Sequence, residues 1–301
     1  MMKSSVIVIS HEREQLLRRA LNSLNSQELL PDEVILVDDN SVSFDVNIFR
    51  NIYYKFNLKI FKNSKKKGAN FSRNLGIKKS AHEILFFLDD DDEFRSDKLK
   101  ILMREFGNDG KIALVTSGFY KYYEDYDYSK TKYKKGYRGK ISQIQTLKRN
   151  IIGGTSMVGV KREVVLECGG FDEALPALQD KELWLRIAKG NFHVLVVPEP
   201  LVKYRIASSV TRISNNVNKF WAATNYIENK HIDVKQNMSL SDLIEYDVRN
   251  LQLVGLKCLL NHQRRAALIH FMAALKRNLT AKNLAILVLL LLPIKLIIRL
   301  L

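Results

Sequence analysis

Cysteine is nearly absent from this chain, and that absence narrows the field. Only Cys168 and Cys258 occur among 301 residues, and they form no CxxC pair. Two thiols cannot build a disulfide framework, so reduced, cytosolic thiols are expected. A secretory leader is not apparent either. The apolar run Val6–Ile9 is too short, and a charged stretch follows at once. Glycine all but disappears after Ser214, and no internal repeat is visible. The histidines His82, His193, His231, His262 and His270 have no metal-ligand spacing with one another or with cysteine, so structural or surface roles are expected for them.

What is present is a chain that can fold. Hydrophobic residues make up 46% and charged residues 27%, which excludes a disordered composition. Lysine plus arginine total 48 against 32 for aspartate plus glutamate, a formal charge of +16. That balance favours polyanionic partners: nucleic acid, anionic lipid or phosphorylated substrates.

The first 200 residues alternate between two periods. Ser5–Ser10, Val34–Val37, Leu58–Phe61 and Ile84–Leu88 read as buried strands, and Arg13–Leu24 and Asn70–Lys79 as helices. The pattern predicts an α/β fold with a mostly parallel sheet, whose ligands bind at the carboxyl ends of the strands. Tyr120–Lys140 holds seven of the twelve tyrosines among lysines and predicts an exposed hairpin or flap. Ile151–Val160 and Val194–Val197 return to strand character. Helical patterns dominate from about 215, which divides the chain into 1–215 and a helical 216–301.

Two acidic clusters fall at strand ends. Asp89–Asp92 cannot all be buried and ionised without a counter-charge. They must face solvent, cap a helix over Arg95–Phe106, or bind a hard cation such as Mg²⁺ or Mn²⁺. Asp38-Asp39-Asn40-Ser41 fits either an Asx-type turn or a carboxylate pair for a ribose or base edge.

VIVISHERE with LLRRALNSLNSQ, EVILVDDNS, KGANFSRNLGIKKSAHEILFFLDDDDEF, GGTSMVGVKREVVLECGGFDEAL and LQDKELWLRIAKG, in that order and spacing, resemble the family 2 glycosyltransferases over about Val6–Val210. The resemblance implies a GT-A fold, a nucleotide-sugar donor, an inverting reaction and Mg²⁺ or Mn²⁺. It implies that Asp38 and Asp39 meet the uracil of a UDP donor and that Arg73 lies beside the diphosphate. Asp89 and Asp91 match the metal motif, with Asp90 reaching the ribose. Asp180 matches the catalytic base, and its rival reading is an N-cap for a helix Leu183–Ala188. Gly154, Thr155 and Ser156 match the acceptor segment; Trp184 of the LQDKELW motif reads, with Leu185 and Ile187, as core, and is carried as a candidate on the acceptor side. The sequence departs from the family in three places. Ser10-His11-Glu12 replaces a Thr-Tyr-Asn-like segment at the donor site, so Ser10, His11 and Glu12 are expected at the donor, with His11 stacking on the base. Gln179 replaces a glutamate. No histidine follows Tyr204-Arg205, so Arg205 or residues within 208–212 would hold the donor.

Leu284–Leu301 is apolar except for Lys295 and Arg299. Lys257, Arg264, Arg265, Lys276, Arg277 and Lys282 precede it. An apolar segment flanked by cations favours an anionic cytoplasmic leaflet, and burial against the catalytic domain is the alternative. The expected protein therefore acts at the inner face of a membrane on a glycan or lipid-linked acceptor, with no nucleic-acid partner. Two rivals stand beside it. One is nucleotidyl transfer to a sugar phosphate, which wants a Gly-rich loop that Ser10–Arg13 lacks. The other is a nucleic-acid-binding protein, motivated by the charge and the Tyr/Lys segment.

Overall fold

The computed structural model describes residues 2–190, 192–206 and 216–300. The expected boundary near 215 and the donor-binding alternative at 208–212 lie outside the described residues.

The first four strands are β1 (Ser4–Ser10), β2 (Glu33–Asp38), β3 (Asn57–Lys62) and β4 (Ile84–Asp89). The apolar runs of β1, β2 and β4 are buried on both faces, as a parallel sheet requires, whereas the edge strand β3 buries only Ile60. Helix α1 (Glu14–Asn25) joins β1 to β2, and α2 (Ala69–Lys79) joins β3 to β4. The short β5 (Glu93–Phe94) precedes α3 (Lys98–Asn108), and the long β6 (Ile112–Tyr123) turns back into β7 (Tyr128–Lys132). Then come β8 (Tyr137–Gly139), α4 (Gln143–Lys148), β9 (Val158–Lys161), α5 (Arg162–Glu167), α6 (Gln179–Lys189) and β10 (His193–Ile206). The sheet order is β3-β2-β1-β4-β9-β6-β10-β5, with β7 on β6 and β8 on β10.

Register fixes where a site can form. Ser10 pairs with Asp38, and Ile9 with Asp89, so three parallel strands end at one level. Strand β9 is antiparallel to both β4 and β6, which makes β6 parallel to β4. The far ends of β6 and of its parallel neighbour β10 therefore overhang the same edge. One core packs α1 and α3 on one face of the sheet through Leu17, Leu21, Leu102 and Phe106. The other packs α2, α5 and α6 on the opposite face through Ile77, Val165, Leu183 and Trp184.

Two expectations change. Of Ile151–Val160, only Val158 onward is strand. Gly153 sits at φ +89, and a Cβ there would lie 2.7 Å from Met157 Sδ, so the segment turns instead of extending. None of Asp89–Asp92 caps a helix: α3 begins at Lys98, after β5, behind an Asp97 whose side chain makes no cap bond.

The C-terminal helices are α7 (Val217–Lys230), α8 (Ile232–Gln236), α9 (Leu240–Leu260), α10 (Arg264–Arg277), α11 (Ala281–Val288) and α12 (Ile294–Leu300). The tail is not one helix. Leu292 is extended ahead of Pro293, as the residue before a proline prefers, and this separates α11 from α12. Among the described residues, no helix is long and apolar enough to cross a membrane. Ile297 and Ile298 are buried, with Ile297 packed against Phe220, Val254 and Phe271, while Leu284, Val288, Leu291, Leu296 and Leu300 remain exposed. Part of the tail is therefore packed against the other C-terminal helices, and part of it presents apolar side chains at the surface.

Candidate active site

The site forms where β1, β2 and β4 end. The Asp92 amide donates to the Asp89 carbonyl at 3.0 Å, a tight turn that folds the aspartate run back on itself. One carboxylate oxygen each of Asp89, Asp91 and Asp92 comes within 4.8 Å of the others. Asp92 was not singled out in the sequence, since a run of four aspartates does not show which of them the turn brings together. Three hard oxygen donors at that spacing suit Mg²⁺ or Mn²⁺.

Asp90 faces the other way. It is 1% exposed and accepts from the Ser10 hydroxyl at 2.8 Å and from Arg13 Nε at 3.1 Å. Burial pushes its pKa up to about 7, with Asp91 and Asp89 reinforcing and Arg13 and Ser10 opposing. Inward orientation takes it away from a ribose and makes it, with Ser10, a support beneath the cluster. Arg13 also reaches Asp91 at 3.2 Å, a contact not foreseen.

The β2 carboxylates are also committed. Asp38 is fully buried and accepts from the Ser41 amide at 3.0 Å and from its hydroxyl, the turn that was one of its two readings. Asp39 accepts from Asn63 Nδ2 and from the amides of Lys67 and Gly68, each at 2.8 Å. A carboxylate has roughly four acceptor positions, so one remains for a base edge. Glu12, expected at the donor, is instead a clamp. At φ +59 it accepts from the Val42 amide at 2.6 Å and the Ser43 amide at 2.8 Å. The Ser43 side chain and these amides hold its pKa down at about 2. His11 is half-exposed, and its Nδ1 is buried without a hydrogen-bond partner among the described residues.

Arg73 projects from α2 across the site. It is 3% exposed, its Nη2 meets Asp89 Oδ1 at 2.6 Å, and its Nε and Nη1 are buried without partners. Unsatisfied buried guanidinium donors are costly and suit an incoming anion. Arg205 does not join it. Its guanidinium pairs with Glu93 at 3.1 Å and with Glu124, so only its backbone amide touches the cluster, at Asp92 Oδ1, 3.2 Å.

Asp180 stands in the first turn of α6, which starts at Gln179 instead of at 183. Its Oδ1 accepts from the Lys181 amide at 2.7 Å and its Oδ2 from Asn150 Nδ2 at 3.2 Å. It is not the N-cap: Leu178 holds that position without a side-chain cap bond. Burial raises the Asp180 pKa against the lowering by the Lys181 amide and Arg73, and Asp89 adds to the rise. Asn150 is the residue that sequence reading missed. Its Oδ1 accepts from the Gly153 amide at 2.9 Å, so one side chain ties Asp180 to the acceptor segment.

That segment is held from beneath. Lys134 Nζ donates to Thr116 Oγ1 at 2.9 Å and to the Ile152 carbonyl, and Lys98 Nζ donates to the Ser156 carbonyl at 2.9 Å. Burial lowers both lysine pKa values, that of Lys134 to about 7. Trp184 is fully buried and donates its Nε1 to the Gly153 carbonyl at 2.8 Å. Its assignment to acceptor contact is thereby corrected: it supports the segment from the core side. Thr155 Oγ1 lies 3.4 Å from Asp89 Oδ2, and Ser156 Oγ accepts from the Asp89 amide at 3.1 Å. Gly154 faces open space, where an added Cβ would meet nothing within 4 Å.

A helix-flanked sheet of this topology, with a carboxylate cluster at its strand ends, is the GT-A architecture. Residues 5–168 match the family Glycosyl transferase family 2. The chain belongs to that family. It is 26% identical over 277 residues to an uncharacterized glycosyltransferase of Haemophilus influenzae, covering 89% of this chain and 88% of that one. It is 37% identical over 112 residues to the GalNAc(5)-diNAcBac-PP-undecaprenol beta-1,3-glucosyltransferase of Campylobacter jejuni, covering 36% of each chain. The crystal structure of S. aureus TarS 1-349 in complex with UDP-GlcNAc superimposes with a TM-score of 0.60 at 17% identity, over 91% of both chains.

Proposed function

We propose that the protein transfers a sugar from a UDP-sugar, with inversion, to a hydroxyl of a glycan or lipid-linked acceptor. The observation that supports this reading is that Asp180 lies close enough to Arg73 and Asp89 for their charges to act on it, beside the Asp89-Asp91-Asp92 cluster. A direct displacement needs a site for the leaving diphosphate and a base on the acceptor side, and this reading assigns the first to the aspartate cluster and the second to Asp180.

Asp89, Asp91 and Asp92 would hold Mg²⁺ or Mn²⁺, which supplies positive charge beside the leaving diphosphate. Arg73 donates its two unpartnered N–H groups to the same anion. Asp39 and His11 receive the uracil. Asp180 takes the proton from the acceptor hydroxyl as that oxygen attacks the anomeric carbon. Asn150 and the Lys181 amide keep its carboxylate oriented. Gly154 and Thr155 line the acceptor side. The UDP-GlcNAc-bound TarS and the undecaprenol-linked acceptor in the name of the Campylobacter relative support these substrate classes.

We place the protein at the cytoplasmic face of an anionic membrane. Leu284, Val288, Leu291 and Leu296 expose apolar surface in a segment that also carries Lys282 and Lys295. Short helices of this kind lie in the interface, consistent with the break at Leu292.

The test of the transfer reading is turnover of a panel of UDP-sugars with Mg²⁺ or Mn²⁺, and with excess chelator. Metal-dependent release of UDP from at least one donor supports it. Full turnover in chelator refutes the metal, and no turnover of any donor with any metal refutes the donor class.

A further inference from the structure

Helix α10 is apolar on two opposite sides, and only one of them is covered. Ala267, Phe271 and Ala274 are buried at i, i+4 and i+7, and the first two pack with Val254, Cys258 and Leu259 of α9. The helices approach closely there: a Cβ on Gly255 of α9 would strike the Phe271 ring. Arg265, Leu268, Ile269, Met272 and Lys276 follow the same helical spacing on the far side, within an arc of about 100°. Leu268 is 44% exposed, Ile269 67% and Met272 38%. A contiguous apolar stripe of this kind wants a second partner. Its start is joined to the tail. Arg264 donates from Nη2 to the Leu292 carbonyl at 2.7 Å and from Nη1 to the Leu290 carbonyl, bracketing Leu291, which is 82% exposed.

Charge selects that partner. After Asp247 the sequence holds nine lysines and arginines and neither aspartate nor glutamate. Asp247 itself lies 3.6 Å from Arg277, off the stripe. Arg265 and Lys276 close the two ends of the apolar stripe. A second copy seated here by two-fold symmetry would set the cations of one stripe against those of the other, which is repulsive. The phosphates of an anionic bilayer supply the missing negative charge. Apolar side chains flanked by long cations that can reach back to headgroups make an interfacial helix.

We propose that α10 is a second membrane contact: Leu268, Ile269 and Met272 enter the interface of an anionic bilayer, and Arg265 and Lys276 pair with its headgroup phosphates. This rests on the membrane placement proposed above and adds a contact that α11 and α12 do not provide.

The test is sedimentation of full-length protein with phosphatidylglycerol/phosphatidylcholine vesicles over a range of salt. Ile269→Glu should weaken partitioning by about tenfold or more, the worth of one buried aliphatic side chain. Ile269→Gln/Met272→Gln should weaken it too without adding charge, which guards against a fold disturbed by the new carboxylate. Both sites are exposed, so the melt and UDP binding with Mn²⁺ should be unchanged. Arg265→Gln/Lys276→Gln should weaken binding and flatten its dependence on salt. Leu291→Glu is measured alongside to separate α10 from the tail. If the two apolar α10 variants melt normally and sediment like wild type while Leu291→Glu is released, the tail alone docks; the α10 contact is then wrong and the membrane placement stands. If wild type sediments with no vesicle, both fall. If the α10 variants change the oligomeric state in analytical ultracentrifugation and leave vesicle binding intact, the stripe joins copies of the chain and the proposal fails.

Discussion

Replacing Asp180 by asparagine separates a base from a structural residue. The substitution preserves volume and one oxygen. That oxygen can keep the Lys181 amide bond now made at 2.7 Å. The new NH₂ then faces Asn150 Nδ2, which donates to Asp180 at 3.2 Å. Asn150 cannot flip to accept without giving up the 2.9 Å bond from the Gly153 amide. One hydrogen bond is therefore lost, a cost of about 1 kcal/mol. Against it, a carboxylate whose ionised form is disfavoured by burial is removed, so the two effects oppose and the melt should move little. Transfer should fall about 10²–10⁴-fold, because no proton acceptor remains. Because the Asp180 pKa is raised, wild-type turnover should climb with pH through a value above that of an ordinary aspartate, and Asp180→Asn should lose that limb. The assay is UDP release with acceptor across pH, beside UDP binding and a thermal melt. Near-normal turnover with an unchanged melt would remove Asp180 from the chemistry. Glu182 could not replace it, since it is fully buried against Arg186, Lys230 and His231.

Asp92→Ala should weaken Mn²⁺ binding, measured by water-proton relaxation, by about tenfold or more, while Asp97→Ala, outside the cluster, should not. Glu182→Gln should cost about 3 kcal/mol in chemical denaturation, because it leaves the cations of α6 and α7 without their buried partner. Arg186, Lys230 and His231 together outweigh burial and hold the Glu182 pKa down at about 2, below its unfolded value. Its stabilisation is therefore present above the unfolded pKa and lost as pH falls towards 2, so the difference between wild type and Glu182→Gln should shrink over that range. Asn150→Ala should lower kcat more than KM and change UDP affinity little. Leu291→Glu should reduce sedimentation with anionic vesicles without altering the melt, and unchanged sedimentation would contradict interfacial docking.

Much of the fold was readable because a strand buried on both faces leaves a continuous apolar run, as in VILV and ILFFL, and the α1 and α2 patterns between such runs leave few topologies. The metal cluster was readable as chemistry but incomplete as geometry: only the turn that brings the Asp92 amide to the Asp89 carbonyl makes Asp92 a third candidate ligand. Asn150 was invisible because its role is hydrogen bonding, to Gly153 and to Asp180, which is 30 positions away. Trp184 misled for the same reason. A helix beside a site presents one face to it and another to the core, and the sequence near Asp180 does not say which side chain looks where. Arg205 and Glu12 looked like donor ligands by position, yet each spends its charge on neighbours brought in by distant chain. The tail's break was written in Pro293, whose effect on the preceding residue outweighs the apolar run around it.

The most direct measurement follows the anomeric proton of the sugar released from a turned-over UDP-sugar by time-resolved NMR, with Mn²⁺ replaced by diamagnetic Mg²⁺. A single displacement with Asp180 as base should yield the β-anomer first from an α-linked donor, before mutarotation, and Asp180→Asn should yield neither anomer at the wild-type rate. An α-anomer appearing first would contradict direct displacement on the acceptor side and, with it, the role assigned to Asp180.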